Sequence, residues 1–278
     1  MKKLFALLLA ALMVVSMFAG CSKEDKKSTL VYGSGDYDSI NPIMNEHCEI
    51  KHLLFDSLVK LDKDGKPVAS LAESWTYDDK TLTYTFKLKE GTEWFCPSGI
   101  KSEFGEELYN RFSTEKVTAR DFVFAMQRAV SPNTNSPSAH RLFIIENAAE
   151  IRSGKSPVSS LGVTAPQDYV LVIKLTEPCP DMLERLTESV FMPCNEDFFN
   201  EMNGRYGLTH RHILCNGPFY VSAWSKDDSL SIRKNKYYSG SQEVSPSSVN
   251  FDFRFDLKTV PGRISSAALS AAMQVSGT

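Results

Sequence analysis

The stretch Thr81-Leu82-Thr83-Tyr84-Thr85-Phe86-Lys87-Leu88 decides what kind of fold this chain adopts. Leu82, Tyr84, Phe86 and Leu88 alternate with Thr81, Thr83, Thr85 and Lys87. Successive side chains of a strand point to opposite faces, so the pattern predicts a half-buried antiparallel strand with one face on a core. Val170–Leu175 predicts a second strand. Phe251, Phe253, Phe255 and Leu257, alternating with Asn250, Asp252, Arg254 and Asp256, predict a third. Leu30-Val31-Tyr32 is a short β-prone run broken by Gly33-Ser34-Gly35-Asp36.

Helical spacing appears between these runs. Ile50, Leu53, Leu54, Leu58 and Val59 predict a helix across residues 49–60. Thr118-Ala119-Arg120-Asp121 reads as a helix start: Thr118 caps, and Asp121 sits three residues on, near the positive end of the dipole. Phe122, Met126, Ala129 and Val130 then form its buried stripe. Strands and helices mix without regular βαβ alternation, and no internal repeat is visible, so the fold class is α/β of the mixed α+β kind.

The chain has 278 residues, 42% of them hydrophobic and 23% charged, which excludes disorder, collagen and coiled coil. Lys and Arg number 31 against 34 Asp and Glu, a net of −3, so there is no basic field to neutralise a phosphate backbone and no nucleic-acid partner is expected. The amino end carries Lys2 and Lys3, an uncharged run from Leu4 to Phe18, then Ala19-Gly20-Cys21. This is the order of a signal peptide, and the run is short of the ~20 residues that span a bilayer. Residues 1–20 are expected to be removed, leaving a net charge of −5, and residues 21–28 are polar enough to serve as a solvated tether.

The sequence carries no catalytic or metal-binding motif of a recognised spacing. His47, His52, His140, His210 and His212 show no ligand spacing; His210 and His212 lack a neighbouring carboxylate or cysteine and read as a polar loop. There is no G-x-S-x-G elbow, no phosphate-cradling G-x-x-x-x-G-K-[ST] loop and no G-x-G-x-x-G before a helix. No enzyme activity, metal or cofactor is expected. Besides Cys21, the cysteines are Cys48, Cys96, Cys179, Cys194 and Cys215, an odd number. Cys194 and Cys215 flank one loop, an arrangement open to a disulfide or to two free, partly buried thiols. Trp75, Trp94 and Trp224 each lie in a run that reads as core or sheet edge.

Eight blocks in one order then carry a resemblance. They are Ile40-Asn41-Pro42-Ile43; Leu54-Phe55-Asp56-Ser57-Leu58-Val59 with Asp64-Gly65-Lys66-Pro67; Ser70-Leu71-Ala72-Glu73-Ser74-Trp75; and Thr81–Glu90 with Gly91. Further on come Val117-Thr118-Ala119-Arg120-Asp121-Phe122-Val123, Ser131-Pro132-Asn133-Thr134, Asn216-Gly217-Pro218-Phe219-Tyr220 and Arg233-Lys234-Asn235-Lys236-Tyr237-Tyr238. Together they resemble family 5 of the solute-binding proteins of bacterial ABC importers, the oligopeptide- and dipeptide-binding type. Ala19-Gly20-Cys21 resembles the lipobox of bacterial lipoproteins, although Phe18 stands where an aliphatic residue is usual.

The resemblance implies a periplasmic-binding-protein-like fold of class II, cluster C type, seen here as a first lobe with its inserted subdomain and without a second lobe. Lobe I would comprise residues 29–55 and 194–278, with Ala267–Met273 leading into the crossover, and 56–193 would be the inserted subdomain. Cys96 to Lys116 is longer than the family's turn and is expected as a surface loop. The protein implied is a monomeric, extracytoplasmic receptor, lipid-anchored through Cys21, that delivers short peptides to an ABC permease and ATPase complex. Ligand contacts would fall on the backbone of Met44, Asn45, Glu46 and His47, and Ser138 matches a position where oligopeptide binders carry a pocket aromatic. Such binders hold peptide as an added strand, with main-chain bonds providing affinity. Nickel chelates, haem, opines and oligosaccharides are the alternative ligands within the family, and a signalling or non-transporting lipoprotein is the alternative role. Half a cleft alone would bind peptide weakly or not at all.

Overall fold

The computed structural model describes residues 29–33, 37–44, 50–240, 244 and 246–253. Its strands are β1 (Thr29–Gly33), β2 (Val59–Leu61), β3 (Pro67–Ala69), β4 (Ala72–Asp78), β5 (Thr83–Leu88), β6 (Val163–Gln167), β7 (Val170–Lys174), β8 (Phe219–Ser225), β9 (Ser229–Lys234) and β10 (Ser248–Asp252). Its helices are α1 (Lys51–Leu54), α2 (Gly99–Phe104), α3 (Glu106–Phe112), α4 (Ala119–Val130), α5 (Ala148–Arg152), α6 (Met182–Arg185) and α7 (Glu196–Glu201). One sheet has the order β4-β5-β7-β6, all antiparallel. A second has the order β1-β10-β9-β8, in which β1 runs parallel to β10 and the other pairs are antiparallel. β2 and β3 form a separate hairpin.

The opening alternation becomes β5. Tyr84, Phe86 and Leu88 are buried, and Phe86 lies opposite Leu171 of β7, which brings the two best-patterned strands into one sheet. Leu82 departs from the pattern. It sits in the β4–β5 turn at φ 54°, where Asp78 Oδ1 accepts the Lys80 amide at 2.9 Å, so the strand begins at Thr83. The expected second strand ends at Lys174, and the third spans Ser248–Asp252 with Val249 and Phe251 buried. Arg254, Phe255, Asp256 and Leu257 lie outside the described residues, as do residues 1–28 with Cys21, and Ala267–Met273.

Helix α4 follows its sequence signal. The Thr118 amide donates to Asp121 Oδ2 at 2.7 Å, closing the helix start, and Phe122, Ala125, Met126, Ala129 and Val130 are buried. Asp121 is buried with them, and loss of hydration pushes its carboxyl pKa up to about 7, against the opposing pull of the Thr118 amide.

Two expectations are corrected, and one left open is decided. The helix predicted over 49–60 stops at Leu54, because Phe55 is extended (φ −131°, ψ 138°) and the Leu54 carbonyl accepts remote amides, Asn216 at 3.2 Å and Gly217 at 2.8 Å. Leu58 and Val59 are buried instead through the β2 region, where the Leu58 carbonyl accepts the Ala72 amide at 2.9 Å. The expected surface loop at 96–116 holds α2 and α3, which bury Ile100 and Phe112; the Phe112 ring meets Phe198 of α7 edge-on at 5.1 Å. Finally, Cys194 and Cys215 are free buried thiols, so the disulfide alternative is not realised. Each has its own surroundings: Arg128 Nη1 donates to Cys194 Sγ at 3.4 Å, while Cys215 forms a backbone bridge with Phe95. Burial pushes the two thiols up to about 11 and about 12.

Candidate functional site

The segment implied in ligand contact begins at a turn that the rest of the chain holds down. Asn41 is buried; its Oδ1 accepts the Ile43 amide at 3.4 Å, and its carbonyl accepts the Met44 amide at 3.1 Å. The residue before a proline avoids the helical region, which is why Asn41-Pro42 begins a turn and not a helix. From below, Lys51 Nζ and Ser189 Oγ each donate to the Pro42 carbonyl at 3.0 Å, and Ser136 Oγ donates to the Ile43 carbonyl at 2.5 Å. On the remaining side the Gly207 carbonyl accepts from the Ile40 amide at 2.9 Å and from Ser39 Oγ at 3.2 Å. Gly207 has φ +76°, and a Cβ there would lie 2.6 Å from Asn41 N, so only glycine permits this approach.

Lys51 is 1% exposed, so its ammonium is a buried charge held in a fixed direction under the turn. Met44 emerges from the turn 39% exposed. Ser138 is half-buried and precedes a short 3-10 turn, Ala139–Leu142; through Ser136 its loop is tied to the same turn as Met44. Thus two of the expected site residues, Met44 and Ser138, stand on joined segments. Asn45, Glu46 and His47 lie outside the described residues. The supporting residues Lys51, Ser136, Ser189 and Gly207 were not singled out from the sequence. One signal was available: Lys51 sits inside the apolar run Ile50–Leu54, where a charged residue needs a partner.

Three of the eight blocks meet at a second point. Asn216 Oδ1 accepts the Asp56 amide at 3.2 Å, Asn235 Nδ2 donates to the Gly217 carbonyl at 3.1 Å, and the Tyr238 hydroxyl donates to Asp56 Oδ2 at 2.9 Å. Burial raises the Asp56 pKa, and the Tyr238 hydrogen bond opposes that rise. Asp56, Asn216 and Asn235 are buried polar groups with hydrogen bonds, as a rigid junction requires.

His210 and His212 do not pair as ligands. His212 Nε2 lies 2.9 Å from Glu103 Oε1, a carboxylate 109 residues away in sequence that α2 brings in, and Arg205 Nη1 shares that oxygen at 3.0 Å. The His212 hydrogen bond holds the Glu103 carboxyl below its ordinary range. Among the described residues no three His, Cys, Asp or Glu side chains gather as a metal set. Trp94 is buried, whereas Trp75 and Trp224 are half-buried at sheet positions in β4 and β8.

Residues 66–260 match the model for bacterial extracellular solute-binding proteins, family 5 Middle. A dipeptide-binding protein of Lactococcus lactis subsp. cremoris is 28% identical over 200 residues, which are 70% of this chain and 33% of that protein. A probable deoxycholate-binding periplasmic protein of Escherichia coli is 32% identical over 193 residues, 69% of this chain and 33% of that one. The solved structure of Listeria monocytogenes OppA bound to peptide superposes with a TM-score of 0.74 at 27% identity, covering 84% of this chain and 44% of that chain. The chain thus spans about a third of the length of these curated relatives, all of which are named as binding proteins and not as enzymes. No helix among the described residues is long and apolar enough to cross a membrane.

Proposed function

The chain belongs to the bacterial extracellular solute-binding proteins of family 5, and from that membership we propose that it captures short peptides outside the cytoplasm for an ABC importer. It does no covalent chemistry in this reading. The observation that carries it is the turn at residues 41–44, whose Pro42 and Ile43 carbonyls are taken up by Lys51, Ser189 and Ser136. So held, the turn presents Met44 at the surface, and in this reading the backbone of Met44, Asn45, Glu46 and His47 bonds to an extended ligand. Ser138, in place of a large aromatic, leaves room for ligand side chains beside Met44. The identity with peptide-binding relatives supports the ligand class.

In the same reading residues 29–55 and 194–278 form lobe I and residues 56–193 a subdomain inserted into it, in keeping with the two four-stranded sheets. Ligand is held against a second lobe and released to a permease by hinge motion. Signal cleavage before Cys21 and lipidation of its thiol fix the receptor to the cell membrane, as a monomer. A non-peptide ligand is the second reading, favoured by the 32% identity to the probable deoxycholate-binding protein.

The test uses the protein isolated from its own cells. Mass spectrometry should show an amino terminus at Cys21 carrying a diacylglyceryl group. A form extended through the second lobe should be stabilised against thermal unfolding as the concentration of a mixed tri- to pentapeptide library rises, by about 2.7 kcal/mol at a hundredfold excess over Kd. No shift with any peptide, together with a shift on deoxycholate, a metal chelate or a sugar, would eliminate the peptide reading.

A further inference from the structure

A cavity of about 620 Å³ has none of the described residues of segments 41–44 and 136–138 in its lining. Its walls come from three places: residues 93–99 with Tyr109 and Ser113, the loop at His210 and Arg211, and the β8–β9 region with Tyr220, Arg233, Lys236 and Tyr237. The helices that replace the expected loop at 96–116 therefore build one side of it.

The charge of this cavity runs against that of the chain. Three cations, Arg211, Arg233 and Lys236, line it, while the chain as a whole carries a net −3. The carboxylate that lines it, Glu93, is bound to Lys116. Arg233 and Lys236 make no ion pair among the described residues; Lys236 Nζ rests 4.7 Å from the centre of the Tyr237 ring. Arg211 is held in place from two sides. Its stem lies against Gly99, where an added Cβ would come within 2.9 Å of Arg211 Cγ, and its Nη1 stands 4.0 Å from Glu103 Oε2. Aromatic faces complete the walls: Tyr220 stacks on Phe95 with ring centres 4.0 Å apart, and Tyr109 and Tyr237 flank it.

We propose that this cavity is a second binding site, for a small phosphate ester whose anion is held by Arg211, Arg233 and Lys236 and whose body lies on Tyr220 and Tyr237. A phosphate monoester carries about −1.5 to −2 charge at pH 7 with three acceptor oxygens, which suits a cavity lined by three cations better than a single carboxylate does. Arginine forks bind such oxygens in pairs, and flat aromatic walls accept a ring or an alkyl body. Among the described residues the site uses none of those assigned to peptide, so it stands or falls independently of that reading.

The test is isothermal titration of the full chain in detergent with sodium pyrophosphate and with glycerol phosphate, against sodium chloride at matched ionic strength. Saturable binding is expected, weakened at least about tenfold in the double variant Arg233→Gln/Lys236→Gln. Both side chains are exposed and free of ion pairs among the described residues, and an unchanged unfolding midpoint certifies the fold. Gly99→Ala, which must displace Arg211, should weaken binding as well. Vesicles of phosphatidic acid, a phosphate monoester, compared with phosphatidylcholine, separate the sources: variant-sensitive binding to the former without binding of soluble phosphates identifies a lipid headgroup, and the reverse identifies a soluble metabolite. Absence of saturable binding to every phosphate probe, or equal affinity in the double variant, overturns the proposal.

Discussion

Replacing Gly217 by alanine tests how the separated segments are joined. A Cβ built there would lie 2.6 Å from Leu54 C, 2.7 Å from Phe55 N and 2.8 Å from Leu54 O, all backbone atoms with no flexible end to move aside. The Gly217 amide also donates to the Leu54 carbonyl at 2.8 Å, so relief of the clash lengthens that bond. Overpacking costs about 1–3 kcal/mol and a weakened hydrogen bond about 0.5–1.5, giving a loss of about 2–4 kcal/mol. For a chain of this size that lowers Tm by about 4–15 °C. Gly65 is the control: its φ is +75° but nothing lies within 4 Å of an added Cβ, so Gly65→Ala carries only left-handed backbone strain, about 1–2 kcal/mol. Urea unfolding of both variants, followed by tryptophan fluorescence, separates contact from conformation. Should Gly217→Ala lose less than Gly65→Ala, or fall within about 0.5 kcal/mol of the parent, the close approach at Leu54 does not set the junction.

Three further outcomes are expected. Asp121 has its pKa raised from 3.8 to about 7, so the folded state holds the proton more tightly than the unfolded one. Its contribution is fully present below the unfolded value and is lost as pH rises toward the folded one, about 4 kcal/mol in all at about 1.4 per pH unit; Asp121→Asn should flatten that part of the stability-versus-pH curve, and an unchanged slope refutes it. Arg128 lies over the Phe199 ring at 3.7 Å, with Phe124 and Tyr206 at 5.7 and 5.6 Å, so Arg128→Ala should lose about 2 kcal/mol in chemical denaturation, with Arg128→Lys between the two; a loss below about 0.5 counts against the ring cage. Cys96, Cys194 and Cys215 are buried thiols pushed up to about 12, 11 and 12, so iodoacetamide at pH 8 should leave them unlabelled until the chain is unfolded, and peptide mapping without reductant should show no Cys194–Cys215 link.

The elements legible in sequence were those whose burial is local in origin. Tyr84, Phe86 and Leu88 bury one face of β5 because period-two patterning states which side is inward, and Thr118 with Asp121 closes α4 because the acceptor and the amide are three residues apart. The run Ile50 to Val59 misled because its spacing fits a helix, while the amides that claim the Leu54 carbonyl come from Asn216 and Gly217. Leu82 looked like a strand residue because alternation says nothing about where a hairpin turns. Residues 96–116 resembled a loop in composition; they fold into helices against α7, where Phe112 meets Phe198 and Arg111 pairs with Asp197 and Glu201.

The candidate site divides in the same way. Met44 and Ser138 were reached from the sequence through family resemblance, and their joining by Ser136 was not. Lys51, Ser189 and Gly207 act on the 41–44 turn through bonds to its backbone, and a backbone acceptor has no side-chain identity to read in advance. The sequence by itself determined the family, the mixed fold class and the strongest strands and helix, since these rest on residue order and local periodicity. Only the tertiary structure decided where the 49–60 segment stops being helical, which groups hold the turn at 41–44, and that three cations share one cavity. Most of these depend on contacts between segments remote in sequence, such as Ser189 with Pro42, Asp56 with Asn216 and Glu103 with His212, which no local pattern encodes.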